Sequence, residues 1–260
     1  MLKKRINIQR LEMDQGFLKD REDYVAFDEA ICIFINGEYY RTLLSTSNMI
    51  KSLVVGHILG EGIIEKRSDL ESIVIDQLKV YVELQEDVDL KQVSLSKVDI
   101  ITTACGSLSP PITEGIISEI SVDSEAEVKA KTIWDMIQEL NRRSELFKET
   151  GGTHSAMLCS VEGLVHSFAE DVGRHNAVDK VIGEGILKSV DLSGCIIVSS
   201  GRQSSEMVLK VARCGIPVIA SIAGPLSSGI KIAEETGITL VCFVRGRRMN
   251  IYSHPERILI

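Results

Sequence analysis

The sequence predicts an α/β (α+β) fold, with a β-rich N-terminal part to about residue 120 and alternating strands and helices over 121–260. Three observations predict it. From residue 154 onward, short apolar runs of β type alternate with runs of helical period. Near the N-terminus, Asn36-Gly37 stands between two apolar runs, a strong local signal for a hairpin. The composition, 44% hydrophobic and 25% charged over 260 residues, is that of a chain with a full core, which excludes collagen, coiled-coil and disordered classes. No internal repeat or low-complexity linker divides the chain, so a single domain over 28–260 follows a short N-terminal arm, 1–27.

The elements follow in order. Residues 1–27 are polar and aperiodic. ICIFINGEYY (31–40) reads as two strands around the Asn36-Gly37 turn. Ser45-Thr46-Ser47 supply caps for a helix over NMIKSLVVGHILGEG, whose apolar residues recur at helical spacing and stop on glycines. IVIDQLKVYVEL and KVDIITT are β-rich, and the second feeds the loop ACGSLSPP. SEAEVKAKTIWDMIQELNRRSELF (124–147) reads as one amphipathic helix from a Ser cap, with Val128, Ile133, Ile137 and Leu140 on its apolar face. GGTH (151–154) breaks it. Strand SAMLCSV, a turn at Glu162-Gly163, strand LVHSFAEDV and helix NAVDKVIGEGIL come next. CIIVSSG, SEMVLKVARCG, PVIASIAG, PLSSGIKIAEETG and ITLVCFVRG then alternate strand and helix, which implies a partly parallel sheet covered by helices.

Charge and motifs narrow the chemistry. The net charge of -8 argues against a nucleic-acid partner. No apolar run approaches the roughly 18 residues of a membrane span; the best, Leu53 to Ile64, is interrupted by His57 and Glu61. The basic N-terminus has no apolar segment behind it, so no secretory signal is read and the expected location is cytoplasmic. Six cysteines, at 32, 105, 159, 195, 214 and 242, never form C-x-x-C, so neither a disulfide scaffold nor a bound metal is expected. P-loop, dinucleotide and nucleophile-elbow motifs are absent, as are the H-x-E and P-C-x-x-C of zinc deaminases. The glycines of GEG (183–185) lie inside a helical run and read as packing residues.

Four places carry chemistry. Cys105 opens a loop at a strand end, where backbone N–H groups favour a thiolate; the bland alternative, a buried thiol, is the reading for Cys32, Cys159, Cys195 and Cys242. In EDVGRHNAVDKVIG, Glu170, Asp171, Arg174, His175 and Asp179 bracket a strand-to-helix turn, where open α/β sheets bind ligands. Arg174 offers a planar fork to phosphate or carboxylate and His175 a proton near neutral pH, against the alternative of a helix start with surface ion pairs. SSGRQSSEMVLK (199–210) puts a hydroxyl-rich, glycine-containing turn at a helix N-terminus, a ready anion site; the alternative is a capping box, which Ser204, Ser205 and Glu206 do not fit well. Arg245, Arg247 and Arg248 surround Gly246 after the last strand; they grip a pyrophosphate or form a solvated basic turn.

Taken together, GEGII (60–64), TTACG (102–106), TGGTH (150–154), EDVGRHNAVDK (170–180), SSGRQSSEMV (199–208) and RGRRMNIYSHPERI (245–258) resemble the FdhD family of formate dehydrogenase accessory sulfurtransferases, over roughly residues 28 to 258. The resemblance implies a three-layer sandwich similar to cytidine deaminases without their zinc ligands. It implies a persulfide on Cys105, loaded by a cysteine desulfurase. The bound substrate is then molybdenum (or tungsten) bis(molybdopterin guanine dinucleotide), which GDP-like nucleotides mimic and formate dehydrogenase requires. Phe243, Val244, Arg245, Gly246, Arg247 and Arg248 match the family's cofactor-binding stretch, and Arg174 and His175 are assigned to the same ligand. The implied partners are the desulfurase, formate dehydrogenase and a second copy in a homodimer, with neither nucleic acid nor membrane. One position departs: many family members carry C-G-x-C, and Leu108 stands at the second cysteine. Leu108 keeps a second reading open, a non-catalytic chaperone that holds the guanylated cofactor; a nucleotide hydrolase on a deaminase-like fold is a third.

Overall fold

The computed structural model describes residues 1–88 and 120–260. Its chain order begins with β1 (Lys3–Glu12) and β2 (Phe17–Ala26), β3 (Glu29–Ile35) and β4 (Glu38–Ser45), α1 (Ile50–Gly60), β5 (Leu70–Asp76) and β6 (Lys79–Leu84). After the undescribed stretch come β7 (Val128–Lys129), α2 (Ala130–Arg143), α3 (Glu145–Thr150), β8 (His154–Ser160), β9 (Val165–Asp171) and α4 (Arg174–Leu187). The chain closes with β10 (Cys195–Ser199), α5 (Ser205–Arg213), β11 (Val218–Ser221), α6 (Ser227–Thr236), β12 (Thr239–Arg245), β13 (Arg248–Ser253) and β14 (Ile258–Leu259).

Two sheets organise these elements. A six-stranded sheet has the order β13-β12-β11-β10-β8-β9, with β10, β11 and β12 parallel. A four-stranded sheet has the order β4-β3-β6-β5. One face of the large sheet, through Met157, Ile196, Val198, Val218 and Val241, meets Ile133, Met136, Ile137 and Leu140 of α2. The other face, through Leu158, Ile197, Ile219 and Leu240, meets α4, α5 and α6. Helix α1 lies between those helices and the inner face of the small sheet, where Ile31, Ile33, Val80 and Val82 are fully buried. Each such aliphatic side chain contributes about 1.5–3 kcal/mol by leaving water. Among the described residues no helix is long and apolar enough to cross a membrane.

The alternation expected from residue 154 onward is found element by element, because strand and helix period are local properties of the chain. The Asn36-Gly37 hairpin is found too, with φ of 48° and 80° at its two turn residues, and Asn36 Oδ1 also accepts from the Leu84 amide. Helices α1 and α4 cross where neither has a side chain. A Cβ on Gly183 would lie 1.9 Å from the Ser52 carbonyl oxygen, and one on Gly56 1.8 Å from that of Asp179. Gly183 is therefore a packing residue, as read.

Five local expectations are corrected or refined. The helix expected over 124–147 starts only at Ala130, after the short strand β7, and breaks at Ser144, whose hydroxyl donates to the Leu140 carbonyl and lies 2.7 Å from Ser155 Oγ. Ser124 does not cap the helix; its hydroxyl donates to the Ser193 carbonyl and accepts from the Ala126 amide. The hydroxyls of Ser45 and Thr46 do not cap α1, whose N-cap is Met49, but donate to Asp171. Residues 1–27, polar and aperiodic in sequence, hold the β1–β2 hairpin, which sequence pattern missed because both of its faces are largely exposed and its residues lack an apolar alternation. IVIDQLKVYVEL, read as one β-rich run, folds back at Gln77 into β5 and β6. KVDIITT, Cys105 and Leu108 lie outside the described residues.

Candidate functional site

Strand β8 runs antiparallel to both β9 and β10, so β9, β10, β11 and β12 all point the same way and their C-terminal ends share one edge of the sheet. That edge is where open α/β sheets hold ligands, because helix N-termini and loop amides converge there. Arg174, the segment 199–203, Gly224 and the 243–248 turn all arrive at it. From the end of β12 to the end of β9 the edge spans about 19 Å at the usual strand spacing, a length suited to an extended ligand.

The turns along this edge are fastened from within. Ser199 Oγ accepts from the Gly201 amide, and Ser221 Oγ and Gln203 Nε2 both donate to the Gly201 carbonyl. The Phe243 amide donates to the Ala223 carbonyl. Ser204 is the N-cap of α5 yet makes no side-chain cap, and among the described residues neither its hydroxyl nor Gln203 Oε1 has a partner, although both are buried. The SSGRQSS turn is thus not a capping box.

At the β12 end, a register shift between Cys242 and Arg245 turns Phe243 into the left-handed region, φ 54°, and presents its ring to Gly224. A Cβ on Gly224 would be 2.6 Å from Phe243 Cζ, so only glycine leaves room for the ring. The Arg245 guanidinium lies 5.1 Å from the centre of that ring, within cation–π range. Gly246 and Arg247, φ 58° and 59°, form a two-residue turn into β13, leaving Arg245, Arg247 and Arg248 exposed together. Val244 is fully buried, so only its backbone faces a ligand here. Arg174, the first residue of α4, packs its stem on Gly201, where a Cβ would be 2.9 Å from that of Arg174. His154 Nδ1 lies 3.3 Å from Ser200 Oγ; burial first, then Arg174 and Arg202, pushes the His154 imidazole below its ordinary value.

The family model for FdhD/NarQ proteins matches residues 26–259. The chain belongs to the FdhD/NarQ family. The sulfur carrier protein FdhD of Wolinella succinogenes is 37% identical over 98% of this chain and 89% of its own length. That of Thermoplasma acidophilum is 36% identical over 94% of this chain and 89% of its own, and that of Bacillus subtilis 33% identical over 94% of each. A crystal structure described as a formate dehydrogenase accessory protein, from Desulfotalea psychrophila, matches the fold with a TM-score of 0.82 at 26% identity, covering 100% of both chains.

In this FdhD/NarQ chain the adjacent Arg174 and His175 part company. Arg174 joins the strand edge, whereas His175 lines a cleft of about 470 Å³ with Thr42, His57, Glu61, Asp179 and Lys210. Burial, then Lys210 and Arg174, pushes the His175 imidazole down to about 4, so it is neutral at pH 7. Beneath the cleft lies a network that motif reading missed. Lys210 Nζ is 2.6 Å from Asp179 Oδ1 and 3.7 Å from Glu61, and Asp179 Oδ2 is 3.3 Å from His57 Nδ1. Burial would raise both carboxyls, but Lys210 and His57 outweigh it and hold them below their ordinary values. A visible signal existed: His57 and the C-cap residue Glu61, four apart and so on one face, interrupt the apolar run from Leu53 to Ile64.

A second buried pair fixes the α4 turn itself. Lys180, with no exposure, donates to Asp171, Asn48 and the carbonyl and hydroxyl of Thr46. Asp171 also accepts from the Gly173 amide and Asn176. The conspicuous charges of EDVGRHNAVDK therefore divide among holding the turn, lining the cleft and reaching the strand edge. Cys159, Cys195 and Cys242 are buried in strands, and burial pushes their thiols up to about 12, 11 and 12; Cys214, at the end of α5, rises likewise to about 12. Cys32, half-buried in β3, accepts from Thr42 Oγ1. Among the described residues no group of His, Cys, Asp and Glu is arranged to hold a metal ion.

Proposed function

We propose that this chain accepts sulfur from a cysteine desulfurase as a persulfide on Cys105 and passes it, in the cytoplasm, to the molybdenum bis-guanine-dinucleotide cofactor that formate dehydrogenase requires. In the loading step the Cys105 thiolate attacks the terminal sulfur of the donor's persulfide; a new S–S bond forms, the donor's S–S bond breaks, and the donor cysteine leaves as thiolate. No electron is gained or lost overall. The observation that carries the reading is the Phe243–Arg248 turn, which exposes three guanidiniums beside an aromatic ring at the parallel-strand edge of an acidic chain. Guanidiniums suit the pyrophosphate and the ring suits a base. Membership of a family whose relatives bear the name sulfur carrier supports the other half of the reading.

The test is intact-protein mass spectrometry after incubation with a desulfurase and free cysteine. Wild type gains one sulfur that reductant removes, and Cys105→Ala gains none. Leu108 favours one alternative, a chaperone that binds the cofactor without carrying sulfur. Under it, neither protein gains sulfur, and Cys105→Ala still supports formate dehydrogenase activity. Calorimetric titration with GDP tests the cofactor site separately: Arg247→Ala and Arg248→Ala weaken binding while the melting temperature holds.

A further inference from the structure

His57 ties α1 to α4 through one ring nitrogen and leaves the other unused. Although burial opposes its charge, Lys210 Nζ at 2.6 Å keeps Asp179 ionised, so the carboxylate can only accept. The hydrogen of the 3.3 Å contact therefore sits on His57 Nδ1, and the neutral imidazole keeps a bare lone pair on Nε2. That atom is sealed from water, and among the described residues nothing donates to it. A tie between helices needs only Nδ1; an unmet buried acceptor beside it costs about 1–3 kcal/mol. A carboxylate that fixes the tautomer of an imidazole whose far nitrogen is bare is the arrangement of a general base.

His57 lines the 470 Å³ cleft with His175, whose Nε2 is also buried and without a partner among the described residues. Leu43, Leu44 and Val172 give the cleft apolar walls. The full charges at its floor answer one another: Lys210 is 2.6 Å from Asp179 and 3.7 Å from Glu61, and Arg41 is 3.9 Å from Glu61. A charged ligand would have to break these pairs, so the cleft suits an uncharged molecule that gives up a proton inside it. An aliphatic hydroxyl is too weak an acid to yield its proton at rest. A thiol, at about 8.5, ionises within reach of an imidazole, at about 6.5, and its thiolate is favoured beside imidazolium. We propose that this cleft binds a small uncharged organic thiol and takes its proton on His57 Nε2. The S–H bond breaks, an N–H bond forms, and the two rest as thiolate and imidazolium, with no electron gained or lost. Asp179 is a positioning residue that holds the ring and stabilises the imidazolium. A thiolate is the form that attacks persulfide sulfur, which suits a chain whose relatives bear the name sulfur carrier.

The test uses the full chain carrying Cys105→Ala, so its result and the loading of Cys105 are independent of one another. Calorimetric titration at pH 7 with 2-mercaptoethanol gives one saturable site, and ethylene glycol, the same shape with oxygen for sulfur, binds at least about tenfold more weakly. Difference spectra of the mixture show the ultraviolet absorbance of a thiolate. Adding His57→Gln keeps an N–H for Asp179 but removes the basic nitrogen: the thiolate signal is lost and affinity falls at least about tenfold. Leu44→Trp, at a wall position that is 62% exposed, narrows the cleft without touching the buried network. It lowers thiol affinity while far-UV circular dichroism stays that of the parent. No binding of the thiol, equal affinity for ethylene glycol, a thiolate signal that persists in His57→Gln, or unchanged affinity in Leu44→Trp overturns the site.

Discussion

Lys210 Nζ lies 2.6 Å from Asp179 Oδ1, and the two side chains, from α5 and α4, are almost wholly sealed from water. The pair ties together the two helices that start at the candidate strand edge. Burial alone would lower the lysine, but Asp179 and Glu61 outweigh it and hold it above its ordinary value. Removing one member strands the other in a medium of low dielectric. Lys210→Met therefore destabilises the protein by about 3–5 kcal/mol, read from urea unfolding at pH 7; a loss under about 1 kcal/mol would mean that water reaches Asp179 and solvates it.

The α1–α4 crossing is set by bare backbone. Gly183→Ala drives a methyl group to 1.9 Å from the Ser52 carbonyl oxygen, so the helices must separate along their contact. The expected cost is about 3 kcal/mol or more. Gly194→Ala, where an added Cβ meets nothing within 4 Å, is the control and changes stability by no more than about 0.5 kcal/mol. Equal melting temperatures for the two variants would disprove the close crossing.

His175 gives the stability a pH dependence of defined sign. Its folded value, about 4, lies below the unfolded value of about 6.5. Between those values the unfolded chain holds the extra proton, so stability falls as pH drops from 6.5 toward 4 and this group adds nothing further below that. Lys210 and Arg174 oppose the proton on His175, while Asp179 and Glu206 favour it less strongly. The imidazole accounts for up to about 3 kcal/mol of the fall, and His154 adds a decline of the same sign. His175→Gln flattens the profile of unfolding free energy between pH 7 and 4.5; a slope equal to that of wild type contradicts the assignment.

Gly224 acts on ligand binding through Phe243. Gly224→Ala pushes the ring off its seat and away from Arg245. GDP affinity by calorimetry drops about three- to tenfold, the worth of one aromatic or cation–π contact, while the melting temperature moves little because Phe243 is only half-buried. Unchanged affinity would remove the aromatic ring from the nucleotide site.

Much of the fold was legible because its signals are local. The strands and helices after residue 154 follow from period and glycine punctuation, and the Asn36-Gly37 hairpin from a turn that demands positive φ. The positions of Arg174, residues 199–203 and residues 243–248 at strand ends were legible for the same reason. The break at Ser144 was not, since a helical period runs through it and the partner that interrupts it, Ser155, belongs to a later strand. The β1–β2 hairpin was missed because exposed faces carry no apolar alternation.

What the sequence determined by itself is the family, the order of the elements from residue 154 onward and the basic turn at 245–248, since each resides in residues close together along the chain. What only the tertiary structure decided is the distribution of roles among charges of similar appearance. It sent Arg174 to the strand edge and the adjacent His175 into a cleft, and it joined Asp171 to Lys180 and Asp179 to Lys210 as internal ties. It also brought His57 to Asp179 across 122 residues of chain. The physical reason is that burial and Coulomb attraction depend on distance in space, and the helix crossing at Gly56 and Gly183, not the spacing of residues in the sequence, sets those distances.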